Sequence, residues 1–519
     1  MSNVSARRPR CRGMLDAHGI VETYFFKLLA QQKARSFSCK SIEANDASDR
    51  ARSRAYVQSM RTTGGFRMIY FLACIAAIAG FLFGYDEGII AVARPLLDKD
   101  FPMSPVVGGF MTAAVPLGAL IGASLAGRIT DRFGRRRVLM SAAALFAVGA
   151  LIAAGMTAVW ILVAARLVLG LAIGVAAVTA PLYISEAAPV SIRGGLVATY
   201  QLAITFGILV SYLTGLAIEG DGTWRLMFGL GAVPGLLFLL GLAFLPESPR
   251  WLMLKRFPDQ ARASLLRLRG EGANVSQELQ DIEHAAHAEA GKKVDYSVLW
   301  SPTVRPALIV GMTLFFLQQL SGINAVIYYA PEIFAHAGFD SGKTQTLATV
   351  GIGTVNFLTT ILAMYLIDAL GRRPLLVLGF VGTAATMLTI AVAVLNPTLV
   401  PAWVVIVALL LYIASFAISI GPLPHVMMSE IFPLRVRAPG MSMASISNWG
   451  FNFVVVFAFP LLLASIGLAA TFTIFAIICI GGIVFTLTHV PETTGHSLEA
   501  IEAYLESGQP LVALGAAKT

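Results

Sequence analysis

The chain has 519 residues, of which 57% are hydrophobic and only 13% are charged. Its mean hydropathy of +0.75 excludes an ordinary soluble domain, because a water-soluble fold could not bury that much apolar side chain. The formal net charge of +9 would suit a nucleic-acid-binding protein only if the basic residues formed one face, and they lie instead in short links between apolar runs.

The first 66 residues are polar and basic and show no apolar periodicity, which predicts a disordered tail over 1–66. They lack the apolar stretch near the start that a signal peptide needs. Met60 would be a natural start of translation, since it stands immediately before the first apolar run.

Apolar windows of about 20 residues recur along the rest of the chain, and a helix of that length crosses about 30 Å of hydrocarbon. Hydropathy predicts twelve spans, at 68–92, 105–127, 138–157, 161–183, 196–218, 226–245, 306–329, 345–367, 375–395, 401–428, 442–465 and 469–489. Each is expected to be a helix, because an open backbone cannot satisfy its hydrogen bonds in lipid. The predicted fold class is an all-α membrane protein with twelve transmembrane helices.

Basic residues concentrate in alternate links, which sets the orientation through the positive-inside rule. The links after spans 2, 6, 8 and 10 contain Arg128, Arg132, Arg135, Arg136, Arg137, Arg250, Lys255, Arg256, Arg262, Arg267, Arg269, Lys292, Lys293, Arg372, Arg373, Arg435 and Arg437. The opposite links contain Arg94, Lys99, Arg225 and Lys343. We expect a multi-pass protein of the plasma or inner membrane with both termini in the cytoplasm.

A repeat at long period divides the chain into two halves. DRFGRR at 131–136 recurs as DALGRR at 368–373, after the second span of each half. SEAAPVSIR at 185–193 recurs as SEIFPLRVR at 429–437, after the fourth span. The repeat predicts two parallel six-helix bundles, 67–245 and 305–490, around a central cavity. A cytoplasmic linker with short amphipathic helices is expected at 246–304, and a cytoplasmic C-terminal tail at 491–519.

Several motifs together carry a family resemblance: GRITDRFGRRR, RLVLGLAIG, PLYISEAAPVSIRG, PESPRWL, QQLSGINAVIYYAP, DALGRRPLL, SEIFPLRVR and VPETTG. Over these motifs the chain resembles the sugar porter family of the major facilitator superfamily. The resemblance implies the major facilitator fold, alternating access, and hexoses, pentoses or polyols as substrates, without a cofactor. We expect a small neutral sugar or polyol, protons and membrane lipid as the partners of a monomer, and no nucleic acid.

Asp86 is the first candidate for coupling, because an ionisable group inside a span costs at least about 2.5–3.5 kcal/mol and is functional by default. At 1.5 Å per residue it lies about 9 Å below the outer end of span 1, and Arg166 lies at a similar depth in span 4. Equal depth makes a buried pair feasible. The resemblance implies this pair and gives it a role in proton coupling. The alternatives are a purely structural ion pair and an aspartate solvated near the interface.

Protonation removes the charge of an aspartate, so moving Arg166 away would change the proton affinity of Asp86. Glu87 departs from the small residue expected after this GYD motif. It is either an acid at the lipid interface or the extracellular mouth, or a second titrating group. The assignment of coupling to Asp86 alone therefore stays open.

The polar residues of span 7 are Gln318, Gln319, Ser321, Asn324 and Tyr328. All except Gln319 fall within an arc of about 120° on a helix, which would form one wall of a cavity. Amides both donate and accept hydrogen bonds, which suits neutral hydroxyl groups. The resemblance places the sugar on Gln318, Gln319 and Asn324, with Gln201 from span 5, Asn356 from span 8 and Asn448 from span 11. Hydrogen bonding between helices is the alternative for each of them.

Gly421, Pro422 and Pro424 predict a broken helix in span 10, which could act as a gate. His425 stands where many members of the family carry a sugar-stacking tryptophan. Its alternative roles are a hydrogen bond to a polyol, titration, or packing as a neutral ring. Trp449 follows Asn448, as in sugar-binding members, and is a candidate aromatic wall.

The repeated motifs place charges at the cytoplasmic ends of the spans: Glu186, Arg193, Glu247, Arg135, Arg136, Glu430, Arg437, Arg372 and Arg373. Setting the orientation accounts for the arginines. As a further hypothesis, the repeated sets pair when the cytoplasmic side is closed and separate when it opens.

The sequence contains no metal-ligand cluster, phosphate-binding glycine-rich loop or nucleophile constellation, so a membrane enzyme or ATP-driven pump is not expected. The four cysteines are far apart and lack CxxC spacing. Two alternatives keep the same fold: a facilitator without ion coupling, and a sensor that binds sugar without moving it. A sensor usually needs a long cytoplasmic tail, and only about 28 residues follow Pro491.

Overall fold

The computed structural model describes residues 65–514, except for 190–191, 219, 221, 271–272, 290–295, 340, 434–435, 497–500, 503, 506–508 and 510. The tail predicted over 1–66 lies almost wholly outside the described residues, and so does much of the tail predicted over 491–519. Within the described residues the regular structure is helical throughout.

The first half of the chain forms six long helices: α1 (Gly65–Asp100), α2 (Pro105–Phe133), α3 (Arg135–Gly155), α4 (Val159–Ala187), α5 (Arg193–Ala217) and α6 (Trp224–Phe244). The second half continues with α7 (Arg305–His336), α8 (Gly342–Leu370), α9 (Arg372–Leu395) and α10 (Trp403–Ile431). Each contains an apolar window long enough to cross a membrane.

The last helical stretch, Arg437–His489, is two helices joined at Gly467. As one straight helix its 53 residues would be about 80 Å long, far more than the about 30 Å of a hydrocarbon core. Gly467 has a φ of 79° and a ψ of 172°, which only glycine adopts readily, and it ends α11 and precedes α12. The described residues contain 11 apolar stretches of spanning length, and separating α11 from α12 gives twelve helices. The predicted fold class is confirmed.

The predicted end of span 1 at residue 92 is wrong, because α1 continues to Asp100. Arg94 and Lys99 therefore lie in the helix and not in a link. Arg94 is buried, and its Nη1 lies 3.4 Å from the hydroxyl of Thr112 on α2. Hydropathy predicts that the span ends before its first arginine. Partners from other helices nevertheless allow the buried guanidinium of Arg94 to lie within α1.

Three short α-helices occupy the linker over 246–304, Pro249–Leu254, Pro258–Arg269 and Ser276–Glu289, and a 3₁₀ helix follows at Tyr296–Trp300. The sequence also predicts short helices in this linker. Arg269 is buried and connects the linker to the first half of the chain. Its Nη1 donates to the carbonyl of Ala187 at the end of α4 at 2.7 Å, and its Nη2 donates to Glu278 at 2.6 Å.

The turn between α2 and α3 is organised by a carboxylate from beyond α6. Gly134 adopts a φ of 93°, which directs the backbone N–H groups of the next two residues toward Glu247. The N–H groups of Arg135 and Arg136 donate to Glu247 Oε1 at 2.9 and 3.0 Å. A carboxylate at the start of α3 also interacts favourably with the helix dipole.

The second half repeats this arrangement between α8 and α9. Gly371 has a φ of 87°, and the N–H groups of Arg372 and Arg373 donate to Glu492 at 3.2 and 2.9 Å. Burial raises the pKa of the Glu492 carboxyl, but hydrogen bonds from Thr494 and from these two backbone groups outweigh burial and lower the pKa overall. The charged form of Glu492 is therefore the one that the fold stabilises.

An ion pair completes each arrangement. Arg135 Nε lies 2.8 Å from Glu186, and Arg372 Nη2 lies 3.0 Å from Glu430. Each of these glutamates also accepts a hydroxyl hydrogen bond, from Ser248 at 2.6 Å and from Thr493 at 2.5 Å respectively. We call Arg135, Arg136, Glu186 and Glu247 the N clasp, Arg372, Arg373, Glu430 and Glu492 the C clasp, and the end of the molecule that carries them the motif end.

The two halves contact each other at the end opposite the motif end. The hydroxyl of Tyr212 on α5 donates to the carbonyl of Ile327 on α7 at 2.9 Å. The guanidinium of Arg94 on α1 lies 4.7 Å from the ring centroid of Tyr329 on α7. These contacts join the two halves at the end opposite the clasps.

Candidate functional site

The structure brings Asp86 and Arg166 together inside the first half. Arg166 Nη2 is 3.7 Å from Asp86 Oδ2. Both residues are buried, with Arg166 0% and Asp86 3% exposed. Arg166 Nε donates to the carbonyl of Met111 at 3.0 Å, and its Nη2 donates to that of Thr112 at 3.3 Å. Asp86 Oδ2 has no hydrogen-bond partner. The contact is an ion pair at longer range than a hydrogen bond, and its aspartate is not solvated at the interface.

Close helix packing positions Arg166 against α2. A Cβ atom on Gly170 of α4 would overlap the carbonyl oxygen of Val115 on α2, and one on Gly118 of α2 would overlap that of Leu167 on α4. Small residues at such contacts let two membrane helices approach closely. The guanidinium one turn from Gly170 can therefore reach backbone carbonyls of the neighbouring helix.

A small, mainly apolar cavity adjoins the Asp86 carboxyl. It is lined by Tyr85, Asp86, Ile89, Phe146, Ala150, Leu169, Phe228 and Gly231. The lining contains no basic side chain, so the cavity adds no second cation to the Asp86–Arg166 pair.

Glu87, the neighbour of Asp86, is buried at 4% exposure. A carboxyl group at the lipid interface would be exposed, and that of Glu87 is not. The other two alternatives, an acid of the extracellular mouth that closure of the two halves buries and a second titrating group, stay predictions.

The single continuous helix predicted over 306–329 is wrong, because α7 is broken at Ser321 and Gly322. Its halves are Arg305–Leu320 and Ile323–His336, and Gly322 has a left-handed φ of 91°. The 120° arc expected for an unbroken helix does not apply across this break. Hydropathy does not detect it, since both halves are apolar.

The break brings three amides of the predicted site into one hydrogen-bonded chain. Asn324 Nδ2 donates to Gln319 Oε1, and Gln319 Nε2 donates to Asn448 Oδ1 on α11 at 2.5 Å. Gln319 and Asn324 are buried, and Asn448 is partly exposed. We call Gln319, Asn324 and Asn448 the amide chain. It crosses from α7 to α11 within the second half.

Gln318 has a different set of partners. Its Nε2 donates to the carbonyls of Ile420 at 2.9 Å and Gly421 at 2.7 Å, where α10 passes through a π-helical turn and breaks. Pro424 has no N–H to pair with the Ile420 carbonyl four residues earlier, so that carbonyl would otherwise lack a partner. The predicted break in α10 is present, and Gln318 stabilises it.

The remaining predicted site residues lie in varied environments. Tyr328 is fully buried, and its hydroxyl has no hydrogen-bond partner. Asn356 on α8 is buried, and Gln201 on α5 is half-buried. His425 is exposed, and its ring meets that of Phe315 edge-on, with 4.8 Å between the ring centroids. The His425 ring is therefore accessible and not sealed in the core.

Sequence reasoning missed two residues that connect the halves. Phe83 on α1 lies 5.3 Å from the ring of Trp449 on α11, measured between centroids. Nothing in an apolar span distinguishes such a phenylalanine. Arg94 on α1 was missed as a buried group, although its apolar neighbours in IIAVARPLL are a signal that it belongs to the helix.

The remaining charged residues of the repeated motifs also have matching partners. Arg193 donates to the carbonyl of Ala188 at 3.5 Å, beyond the end of α4, and Arg437 donates to that of Phe432 at 3.4 Å, beyond the end of α10. Each of these contacts, like each clasp, joins residues of the same half of the chain. The hypothesis that the repeated sets separate when the motif end opens stays a prediction.

Comparison with known proteins places this geometry in a family. A family model described as "Sugar (and other) transporter" matches residues 72–505. The galactose-proton symporter of Escherichia coli (strain K12) is 39% identical over 453 residues, which cover 86% of this chain and 97% of that protein. The glucose transporter GlcP of Staphylococcus epidermidis is 39% identical over 436 residues, which cover 83% of this chain and 96% of that protein.

Solved structures give the same result for the fold. The inward open conformation of the xylose transporter XylE from E. coli matches with a TM-score of 0.73 and 32% identity, over 84% of this chain and 99% of that one. The major facilitator superfamily proton:xylose symporter XylE bound to 6-bromo-6-deoxy-D-glucose matches with a TM-score of 0.70 and 33% identity, over 85% and 100%. The expected major facilitator fold is confirmed.

The Arg166→Gln substitution leaves the Asp86 carboxylate buried without its cation. We expect it to lower the free energy of unfolding by about 3–5 kcal/mol. Adding Asp86→Asn removes the stranded charge, so the double variant should be more stable than Arg166→Gln alone. Unfolding of the wild type, both single variants and the double variant in detergent measures this coupling. Additive losses would show that the two side chains do not interact.

Proposed function

The chain belongs to the sugar transporter family, and on that premise we propose that it imports a sugar or sugar-like polyol together with protons by alternating access. It is a membrane transporter and not an enzyme. The observation that carries the proposal is the buried Asp86–Arg166 pair in the first half of the chain together with the amide chain in the second half. The relatives named as proton symporters of galactose and xylose support the same reading.

We place the motif end in the cytoplasm, because the clasps and their neighbours concentrate arginines there. Both termini are then cytoplasmic, and the contact of Arg94 with Tyr329 closes the extracellular side. The structure is inward-facing on this assignment, in keeping with its similarity to the inward-open xylose transporter. The protein is proposed to work as a monomer surrounded by lipid, without nucleic acid, its lobes 67–245 and 305–490 rocking about the 246–304 linker.

Asp86 is proposed to carry the coupled proton. In the inward-facing arrangement Arg166 stabilises the ionised carboxylate across 3.7 Å. Uptake of a proton from the extracellular side neutralises Asp86 and ends its attraction to Arg166. The proton leaves on the cytoplasmic side when the pair forms again, which links proton movement to the change between the two open states.

The amide chain is proposed to bind the sugar hydroxyl groups. Gln319, Asn324 and Asn448 bond to one another here, and a neutral sugar offers matching donors and acceptors. Exchange of one set of hydrogen bonds for the other leaves no buried amide unsatisfied. The other proposed contacts are Gln201, Gln318, Tyr328, Asn356, His425 and Trp449. Since His425 replaces a stacking aromatic ring, the pocket is expected to depend more on hydrogen bonds than on stacking.

The clasps are proposed to keep the cytoplasmic end of each lobe rigid while the lobes move. Each clasp joins helix ends within one lobe through a carboxylate that accepts backbone N–H groups. When the cytoplasmic side closes, the clasps approach each other and their charges set the balance between the inward-facing and outward-facing states.

Asp86→Asn removes the titrating group, so we expect it to abolish uphill accumulation while sparing exchange of labelled sugar across the membrane. Asp259→Asn, at an exposed aspartate of the linker, serves as the matched control and should accumulate sugar like the wild type. Both are measured in proteoliposomes with an acid exterior. Active accumulation by the Asp86→Asn protein would remove the coupling assignment.

Gln319→Ala and Asn324→Ala each remove one or two of the proposed hydrogen bonds to the sugar. The loss of about 1.4 kcal/mol of binding free energy in each variant corresponds to about tenfold weaker binding. Asn396→Ala, at a partly exposed amide beyond α9, is the control and should bind normally. Titration calorimetry with galactose, glucose and xylose measures the affinities. Unchanged affinity in both site variants would place the sugar elsewhere.

A further inference from the structure

Glu87 carries a buried carboxyl group for which the coupling scheme has no use. It lies on α1 next to Asp86 and is 4% exposed. Its neighbour in the chain, Asp86, is an acid and carries a charge of the same sign when ionised. The nearby guanidinium, that of Arg166, is already engaged with Asp86 and with two carbonyls of α2.

Glu87 lies where the two lobes close on each other. A Cβ atom on Gly88, the next residue of α1, would overlap the hydroxyl oxygen of Ser211 on α5, and the second half of α7 packs directly against α1. The Tyr212 hydroxyl is used by the carbonyl of Ile327, whereas the buried Tyr328 hydroxyl has no partner. Helix α7 of the second lobe therefore covers Glu87 on α1 of the first lobe when the extracellular side is closed.

A count of charges fixes the state of Glu87 in this arrangement. The cluster contains two carboxyl groups, Asp86 and Glu87, and one guanidinium, that of Arg166, which lies 3.7 Å from Asp86. A buried carboxylate without a cation is strongly disfavoured, and such a group binds a proton instead. Since Arg166 compensates Asp86, Glu87 is neutral while α7 covers it.

We propose that Glu87 is a second proton-binding site, filled from the extracellular side as α7 closes over α1 and emptied to the same side when α7 withdraws. On filling, a hydronium ion transfers its proton to the Glu87 carboxylate, an O–H bond forms, and a water molecule is released. Opening reverses the step. The assignment of sides rests on the proposed function, but the proton is bound whether or not sugar is present.

This site makes closure depend on pH in a defined way. In the open state water solvates Glu87, which is then ionised at neutral pH. Closure binds one proton at Glu87, so the site contributes a tenfold rise in the closed-to-open ratio for each unit by which the pH falls.

The closed-to-open ratio can be read from spin labels at Val106 on α2 and Lys343 on α8, two exposed positions at the extracellular ends of different lobes. The native cysteines are replaced first, and double electron–electron resonance distances are recorded without sugar between pH 7.5 and 5.5. Glu87→Gln is compared with the wild type. Glu87→Asp keeps the titrating group, and Glu332→Gln removes a partly exposed carboxyl from α7 as a matched control.

As the pH falls, we expect the closed-to-open ratio of the wild type to rise more steeply than that of Glu87→Gln, by a factor of ten per pH unit. The ratios of Glu87→Asp and Glu332→Gln should depend on pH as steeply as that of the wild type. Equal slopes in the wild type and Glu87→Gln overturn the proposal, even where the ratio shifts by the same factor at every pH, since that is the effect of a structural side chain. Uptake of labelled sugar by the same proteins separates this result from a failure of the proposed function.

Discussion

A polar group in hydrocarbon must find its partner inside the protein, and the buried guanidinium of Arg166 shows what this constraint does to the fold. Its hydrogen bonds to the carbonyls of Met111 and Thr112 hold α4 against α2, and its charge holds Asp86 of α1 beside both. Close packing at Gly118 and Gly170 permits that approach. The ion pair is therefore a structural centre of the first lobe, and in the proposed mechanism its aspartate is the group whose charge changes during transport.

The same constraint connects the breaks in α7 and α10 to the proposed substrate site. Breaking a membrane helix frees backbone carbonyls, and in α10 the Gln318 side chain occupies those of Ile420 and Gly421. The break at Gly322 lets Asn324 reach Gln319, which starts the amide chain. Residues that satisfy the broken backbone thus lie beside the amide chain. In the proposed function this contact couples movement of the breaks to the presence of sugar.

The sequence alone predicts the features that depend on local pattern: the number of spans, the internal repeat, the break at Gly421 and Pro422, and the equal depth of Asp86 and Arg166. It does not predict the break in α7, because both halves are apolar and only the left-handed φ of Gly322 separates them. Arg94 was misplaced for a related reason, since its partners Thr112 and Tyr329 come from other helices. The clasps likewise need Glu247 and Glu492 to return from beyond the sixth helix of each half, which no local pattern reports.

The central claim is that sugar and protons cross together, through one carboxyl whose charge changes as the lobes move. Its most direct test uses wild-type protein in proteoliposomes without any imposed gradient, with a pH electrode in a lightly buffered external medium. On addition of galactose, glucose or xylose, the account predicts that the external medium becomes more alkaline as labelled sugar enters, and that a protonophore abolishes the pH change. Entry of sugar without any movement of protons would contradict it.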